Sequence, residues 1–377
     1  MKKVFFYTDT PIFGGAERQM LLLARNLNKE KYQPSLLCSN YESLQPMVDA
    51  WKASGFDVHQ LNVMHKHDPR HYFQIRSLLK IKRPDLLHIH LWNPGSCRYA
   101  FLAAPNDLPI VTTEHDPFPL SGMKKMLKMK YLKKTAETIT VSDANKELMA
   151  SLYPEFENDI TTVHNGIDLQ NFEKTIVHLT SQEKNKIRTH IFDAKPSDRI
   201  ILSIATLHPR KGLNYLLEAM PTVLEKFPDA KLAIVGEGPQ KKELEKIISR
   251  LKIDHRVLLL GYQEDIPKLL KCSEIFVLPS IKEAFGLVLL EALAAQTPII
   301  ATKVGGIPEI VQHMKTALLV EPGNSQELTD ALSELLRNSA LSQKIAFVGY
   351  HHVKEFSAQA MAEKTERVYD KVLQQNS

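Results

Sequence analysis

Short apolar runs alternate along this chain with longer stretches whose apolar residues recur at helical spacing, and that alternation restricts the fold more than any other feature. In the first half the runs are Val4 to Tyr7, Ser35 to Cys38, Leu86 to His90, Ile110 to Thr113 and Thr138 to Val141. In the second half they are Arg199 to Ala205, Lys231 to Val235, Val257 to Leu260, Ile275 to Leu278, Pro298 to Ala301 and Ala317 to Val320. Such runs, joined by amphipathic segments, predict βαβ units and parallel sheets. The first connection shows the helical period in Ala16, Met20, Leu23, Ala24 and Leu27, a single stripe that can pack on a sheet. A chain of 377 residues exceeds the usual size of one hydrophobic core. The polar stretch from Thr175 to Asp198 marks the junction, so we expect an α/β protein of two Rossmann-like, doubly wound domains facing a central cleft, over residues 1–180 and 190–357.

Composition removes several function classes. Hydrophobic residues make up 44% and charged residues 24%, which is ordinary for a soluble globular protein. Lys plus Arg number 48 against 43 Asp plus Glu, too small a surplus for nucleic acid to be the main ligand. Cys38, Cys97 and Cys272 show no CxxC or CxxxC spacing, which argues against a zinc knuckle or a disulfide framework and fits a reducing compartment. The first residues read as a strand rather than a signal peptide, and no apolar run approaches the ~20 residues that span a bilayer. The expected location is cytoplasmic, with peripheral attachment to the inner face of the membrane left open.

Gly14-Gly15 follows the first strand and opens the first helix, where bare backbone and helical N–H groups can approach a phosphate. Alone, the pair suits a tight turn in any α/β protein better than it suits a phosphate site. Neither the dinucleotide fingerprint GxGxxG nor the P-loop is present there, which weighs against nicotinamide and P-loop chemistry. A richer constellation is Pro279-Ser280-Ile281-Lys282-Glu283-Ala284-Phe285-Gly286-Leu287-Val288-Leu289-Leu290-Glu291-Ala292, directly after a buried strand. It puts Glu283 in a loop, Gly286 at a helix start and Glu291 about two turns into the helix. Carboxylates can accept sugar and ribose hydroxyl hydrogen bonds while bare N–H groups hold phosphate, so one segment can grip a nucleotide sugar.

This segment resembles the E-x7-E motif of family 4 glycosyltransferases with the GT-B fold. Gly14-Gly15-Ala16-Glu17-Arg18, Val163-His164-Asn165-Gly166-Ile167-Asp168 and Gly305-Gly306-Ile307-Pro308-Glu309 resemble that family's GGAER, NG[IV]D and GGxPE segments, in the same order. The resemblance implies a retaining, metal-independent enzyme without cofactor. It would transfer sugar from a UDP- or GDP-type donor to a sugar, lipid-linked or small-molecule acceptor. It implies that Glu283 meets the donor sugar and Glu291 the ribose, with Phe285, Gly286 and Leu287 near the diphosphate. It also implies that His115, just past the strand Ile110 to Thr113, is an active-site histidine, and that Lys211 in His208-Pro209-Arg210-Lys211-Gly212 faces the diphosphate. The first domain would bind acceptor, the second would bind donor, and the last helix, over 358–377, would return to the first.

Two positions depart from the pattern. Thr206 stands where the family usually has an arginine, so Arg210 supplies the charge from elsewhere, or diphosphate binding is weaker, or the chain binds without efficient turnover. Gln296 replaces a glycine near a helix end, where we expect only a change of cap. A noncatalytic nucleotide-sugar-binding module and a GT-B sugar-nucleotide epimerase are the rival functions, and a pyridoxal-phosphate phosphorylase is a distant third. His88 and His90 alternate on one strand, but no third metal ligand is placed by spacing, and we expect no metal site. Lys124, Lys125, Lys128, Lys130, Lys133 and Lys134 punctuate an amphipathic helix over 122–134. Its lysines face an anionic membrane, or its apolar side, with Met123, Met126, Leu127 and Tyr131, packs on the sheet.

Overall fold

A computed structural model describes residues 1–63 and 67–375 and divides the chain into two compact units, residues 1–166 with the segment from Ser357 onward, and residues 167–356. The first contains a seven-stranded parallel sheet of β1 (Lys2–Thr8), β2 (Tyr32–Ser39), β3 (Asp57–Leu61), β4 (Leu86–Leu91), β5 (Ile110–Glu114), β6 (Glu137–Thr140) and β7 (Ile160–Thr162), in the order β3-β2-β1-β4-β5-β6-β7. The second contains a six-stranded parallel sheet of β8 (Arg199–Ile204), β9 (Ala230–Val235), β10 (Val257–Leu259), β11 (Ile275–Leu278), β12 (Ile299–Thr302) and β13 (Leu318–Val320), in the order β10-β9-β8-β11-β12-β13. Both orders reverse direction once, between β1 and β4 and between β8 and β11. Such switch points open crevices at the carboxyl ends of parallel strands.

The expected runs all appear as strands. The sequence reading missed β3 and β7, and both are edge strands. Asp57-Val58-His59-Gln60-Leu61 buries only Leu61, so it lacks the continuous apolar run of a central strand. Inner strands behave differently: every residue of β4 and of β9 is buried.

One face of the first sheet packs Val4, Phe6, Met20, Leu36, Trp51 and Val111 into a common core, and the helix Ala358–Gln375 adds Met361, Val368, Tyr369 and Val372 to it. The opposite face buries Phe5, Tyr7, Ile75, Leu79, Ile89 and Tyr131. In the second unit the helices Leu213–Lys226 and Ser325–Arg337 cover one face with Leu216, Leu217, Met220, Leu328 and Leu332.

The unit boundary differs from the polar stretch read as a junction. It falls at Gly166, because the helix Leu169–Val177 turns Phe172 and Ile176 inward in the second unit. Gly166 is constrained by its own neighbours: a Cβ there would lie 2.8 Å from the Cα of Ala358. Its N–H donates to Gln19 Oε1 at 3.0 Å, and its carbonyl accepts from Gln19 Nε2 at 2.9 Å. The two hydrogen bonds to one buried amide fix this backbone in place, and the close approach of Ala358 is what requires a glycine after Asn165.

Candidate active site

At the β8/β11 switch point of the second unit, two loops are tied together through backbone. The carbonyl of Arg210 accepts from the N–H groups of Ile281 and Lys282 at 2.8 and 3.1 Å. A third loop, after β12, comes so close that a Cβ on Gly305, whose φ is +53°, would meet the Glu283 carbonyl at 1.7 Å. Only a residue without a side chain permits that approach. The three loops enclose an ion pair: Lys211 Nζ lies 2.5 Å from Glu283 Oε2, with side chains 13% and 11% exposed. The hydroxyl of Ser280, fully buried, donates to the same carboxylate oxygen at 3.1 Å. Shielding from water strengthens such a charged contact and holds both groups in one geometry.

The remaining residues singled out in this unit sit around that pair. Arg210 is exposed on the 3₁₀ turn Pro209–Lys211. Phe285 is buried and stacks edge-on against Phe356, and Gly286, with φ +99°, caps the helix Leu287–Ala294. Glu291 is the fifth residue of that helix, one turn in rather than two, because the loop stays non-helical through Gly286. Thr206 is exposed, and its carbonyl accepts from the N–H of His208 at 2.8 Å. Gln296 follows the helix end with φ +57°, a left-handed conformation that its side chain makes unfavourable.

In the first unit, Gly14 caps the helix Gly15–Asn26, and its N–H donates to Glu17 Oε2 at 3.0 Å. The donor at Gly14 is therefore already engaged, and the N–H of Arg18 donates to the Gly14 carbonyl at 3.1 Å. Burial raises the pKa of Glu17.

His115 directly follows β5, at the carboxyl end of the sheet. Its Nε2 lies 3.0 Å from His90 Nδ1, the two rings stack, and the His90 ring lies 4.2 Å from that of His88. His88 in turn contacts Tyr369 Oη at 2.6 Å and Thr113 Oγ1 at 2.8 Å. Both nitrogens of His88 are thus engaged by hydroxyls, the arrangement of strand-end histidines rather than metal ligands. Burial lowers the pKa of His88 to about 3 and that of His115 to about 4. Neutral rings carry one proton each, and His90 Nε2 is buried without a partner among the described residues. An orphan N–H costs more than an orphan lone pair, so the favoured tautomer puts the His90 proton on Nδ1. His115 Nε2 then accepts, and His115 carries its own proton on Nδ1 as a donor.

Lys128 corrects the picture of the basic helix. It is 2% exposed and forms an ion pair with Glu114, which is fully buried at the end of β5. A buried carboxylate needs a cation, so the helix Gly122–Leu132 turns Lys128, Tyr131 and Leu132 inward and leaves Met123 and Met126 exposed. No spacing rule connects Glu114 with Lys128, and the sequence reading missed the pair. It also missed Asp9, whose carboxylate accepts from Trp92 Nε1 at 2.9 Å and from the N–H of Cys97 at 2.7 Å. The only signal for Asp9 was its place at a strand end.

Comparison with known proteins gives consistent results for both units. Residues 185–368 match the family model of glycosyl transferases group 1, and residues 13–171 match that of glycosyltransferase family 4. An uncharacterized glycosyltransferase of Methanocaldococcus jannaschii is 30% identical over 83% of this chain and 76% of its own length. The N-acetyl-alpha-D-glucosaminyl L-malate synthase of Bacillus anthracis is 30% identical over 77% of this chain and 75% of its own. Among solved structures, Anabaena HepE in complex with UDP superposes with a TM-score of 0.81 at 19% identity, covering 98% of this chain and all of that one.

Proposed function

Because the chain belongs to the family 4 glycosyltransferases, GT-B enzymes that transfer sugars from nucleotide sugars, we propose that it is a retaining, metal-independent transferase using a UDP-type donor. The Lys211–Glu283 pair at the β8/β11 switch point is the observation that carries this reading. The second unit takes the donor and the first takes the acceptor. UDP is favoured as the nucleotide by the complex of HepE, and a small acid is one acceptor class favoured by the malate synthase.

The donor diphosphate draws Lys211 toward itself, and Arg210 adds the charge that Thr206 does not. Glu283 then turns its carboxylate to the sugar hydroxyls, Glu291 accepts from the ribose, and the N–H groups around Phe285, Gly286 and Leu287 face the diphosphate. In the first unit Gly14 and Gly15 serve as substrate-binding backbone, and His115 donates through Nδ1 to a sugar hydroxyl. The acceptor oxygen forms its bond to the anomeric carbon as the bond to the diphosphate breaks, and the acceptor proton passes to the departing diphosphate oxygen on the same face. Cationic side chains and helix N-termini stand in for a metal ion.

A thermal-shift panel with UDP, GDP, ADP and their sugars, with and without EDTA, tests the reading. Ligand at 100 times its dissociation constant stabilises by about 2.7 kcal/mol, enough to move Tm by ~2–4 °C at this size. The expected result is a UDP-selective, EDTA-insensitive shift that Glu291→Ala weakens by about 1–3 kcal/mol. Turnover of the bound donor separates a transferase from a binding module, and product analysis without acceptor separates it from an epimerase.

Among the described residues no helix is long and apolar enough to cross a membrane. Exposed Met123 and Met126 lie among exposed Lys125, Lys130 and Lys133, and we place this face against the anionic cytoplasmic surface of a membrane. Replacing Lys125, Lys130 and Lys133 by Glu should abolish sedimentation with anionic vesicles. Unchanged sedimentation would rule the contact out.

A further inference from the structure

The first unit holds a cavity of about 330 Å³ at the carboxyl ends of its strands, at the lower end of the size range of small-molecule sites. It lies at the β1/β4 switch point: Asp9 follows β1, Trp92 and Arg98 follow β4, and the helix Gly122–Leu132 covers it. None of the donor-binding groups proposed above lines it.

Its wall carries two cations that no carboxylate among the described residues is shown to pair, Arg98 and Lys124. Arg98, Lys124 and Lys128 reach its wall, and Asp9 is the one carboxylate among its lining residues. Asp9 is 5% exposed, and its two oxygens accept from Trp92 and Cys97, which fixes its place in the loop. Lys128 is held from behind by Glu114. Arg98 leans on the Tyr99 ring and donates through Nη2 to Tyr99 Oη at 3.0 Å, but its Nε is buried with no acceptor among the described residues. A buried guanidinium N–H without an acceptor is rare, and the planar fork of arginine matches carboxylate and phosphate oxygens. Trp92, Phe118 and Tyr131 complete the lining with aromatic surface suited to the body of a small molecule.

We propose that this cavity binds the anionic group of the acceptor, a carboxylate or a phosphate ester, with Arg98 as its direct partner and Lys124 supplying positive potential. The word acceptor rests on the glycosyltransferase reading, whereas the anion site rests on the cavity alone.

Tryptophan fluorescence reports on it locally. The chain has two tryptophans, Trp51 fully buried in the other core and Trp92 in the cavity wall. The full chain is titrated with sn-glycerol 1-phosphate, L-malate and neutral glycerol, and UDP affinity is measured in parallel. The expected result is a saturable change with one of the two anions and none with glycerol, lost in Trp92→Phe. The identity of the responding anion tells a phosphorylated acceptor from a carboxylic one. Arg98→Gln should weaken that anion at least tenfold, Arg98→Lys should recover part of the loss, and Lys124→Gln should weaken it several-fold, all with UDP affinity unchanged. Glycerol binding as well as either anion would overturn the proposal. So would an anion response that survives Arg98→Gln and Lys124→Gln but disappears in Lys211→Ala, since the anion would then occupy the diphosphate site. Loss of UDP binding with the anion response intact would overturn the donor reading and support this one.

Discussion

The two sheets share a strand order around their switch points, yet they close their strand ends by different means. In the first unit the carboxyl ends carry buried titratable groups: His88 and His90 within β4, His115 after β5, and Glu114 with Lys128 across to a helix. In the second unit the ends are closed by backbone, with loops joined through the Arg210 carbonyl and the close approach of Gly305 to Glu283, around the Lys211–Glu283 ion pair. Groups taken out of water are held in position by packing, and their protonation becomes part of folding stability. Loops held by main-chain contacts leave their few charges available to a ligand. Disturbing the first arrangement should therefore cost stability, and disturbing the second should cost activity.

The largest effect should come from separating the buried pair of the first unit. Lys128→Met is expected to destabilise by about 3–5 kcal/mol, because it strands Glu114 in the core. Adding Glu114→Leu to it should restore most of the loss in urea denaturation. A single variant as stable as the wild type would break the contrast between the units. In the second unit, Glu283→Ala should lower kcat by ~100-fold or more while moving Tm by less than the Lys128 variant does. Equal losses of nucleotide affinity and turnover would count against a role at the sugar.

The pH dependence should divide the units next. His88 and His115 have pKa values far below the ordinary 6.5 in the folded state, so the unfolded chain binds the extra protons as pH falls. Stability from these rings is complete above pH 6.5 and is lost progressively toward pH 4, at up to about 1.4 kcal/mol per pH unit for each. In the second unit, Asp198 and Asp229 have lowered pKa values: burial pushes Asp198 up but the Lys195 N–H and Arg256 together outweigh it, and Arg199 lowers Asp229. Their contribution is present above the ordinary 3.8 and is lost only below it. Hydrogen exchange from pH 7 to pH 5 should show β4 and β5 losing protection before β8 does, and simultaneous loss would sink the assignment. The smallest effect belongs to Gln296→Gly, which relieves a left-handed side-chain-bearing residue and should stabilise by about 0.5–1 kcal/mol in thermal denaturation.

Much of the candidate site in the second unit was legible because its parts are close in sequence. Glu283, Gly286 and Glu291 share one loop and helix, and their spacing placed them before any fold was known, apart from a helix that starts later than expected. The first unit was less legible. His90 was visible only as one of two alternating histidines, Lys128 looked like one more exposed lysine of a basic helix, and Asp9 and Arg98 belong to no motif. The unit boundary was misplaced for a related reason, since composition marks a polar stretch but not which side of a junction an amphipathic helix packs on.

The alternation of apolar runs and amphipathic segments determined two parallel α/β sheets, because strand and helix periods are local properties of the chain. Ordered motifs likewise determined the family. Only the tertiary structure decided that Lys128 faces inward, that Arg98 and Asp9 line one cavity at the β1/β4 switch point, and that Tyr369 reaches His88. These contacts join residues far apart in sequence, and which of several similar side chains is buried depends on the partner that packing brings to it.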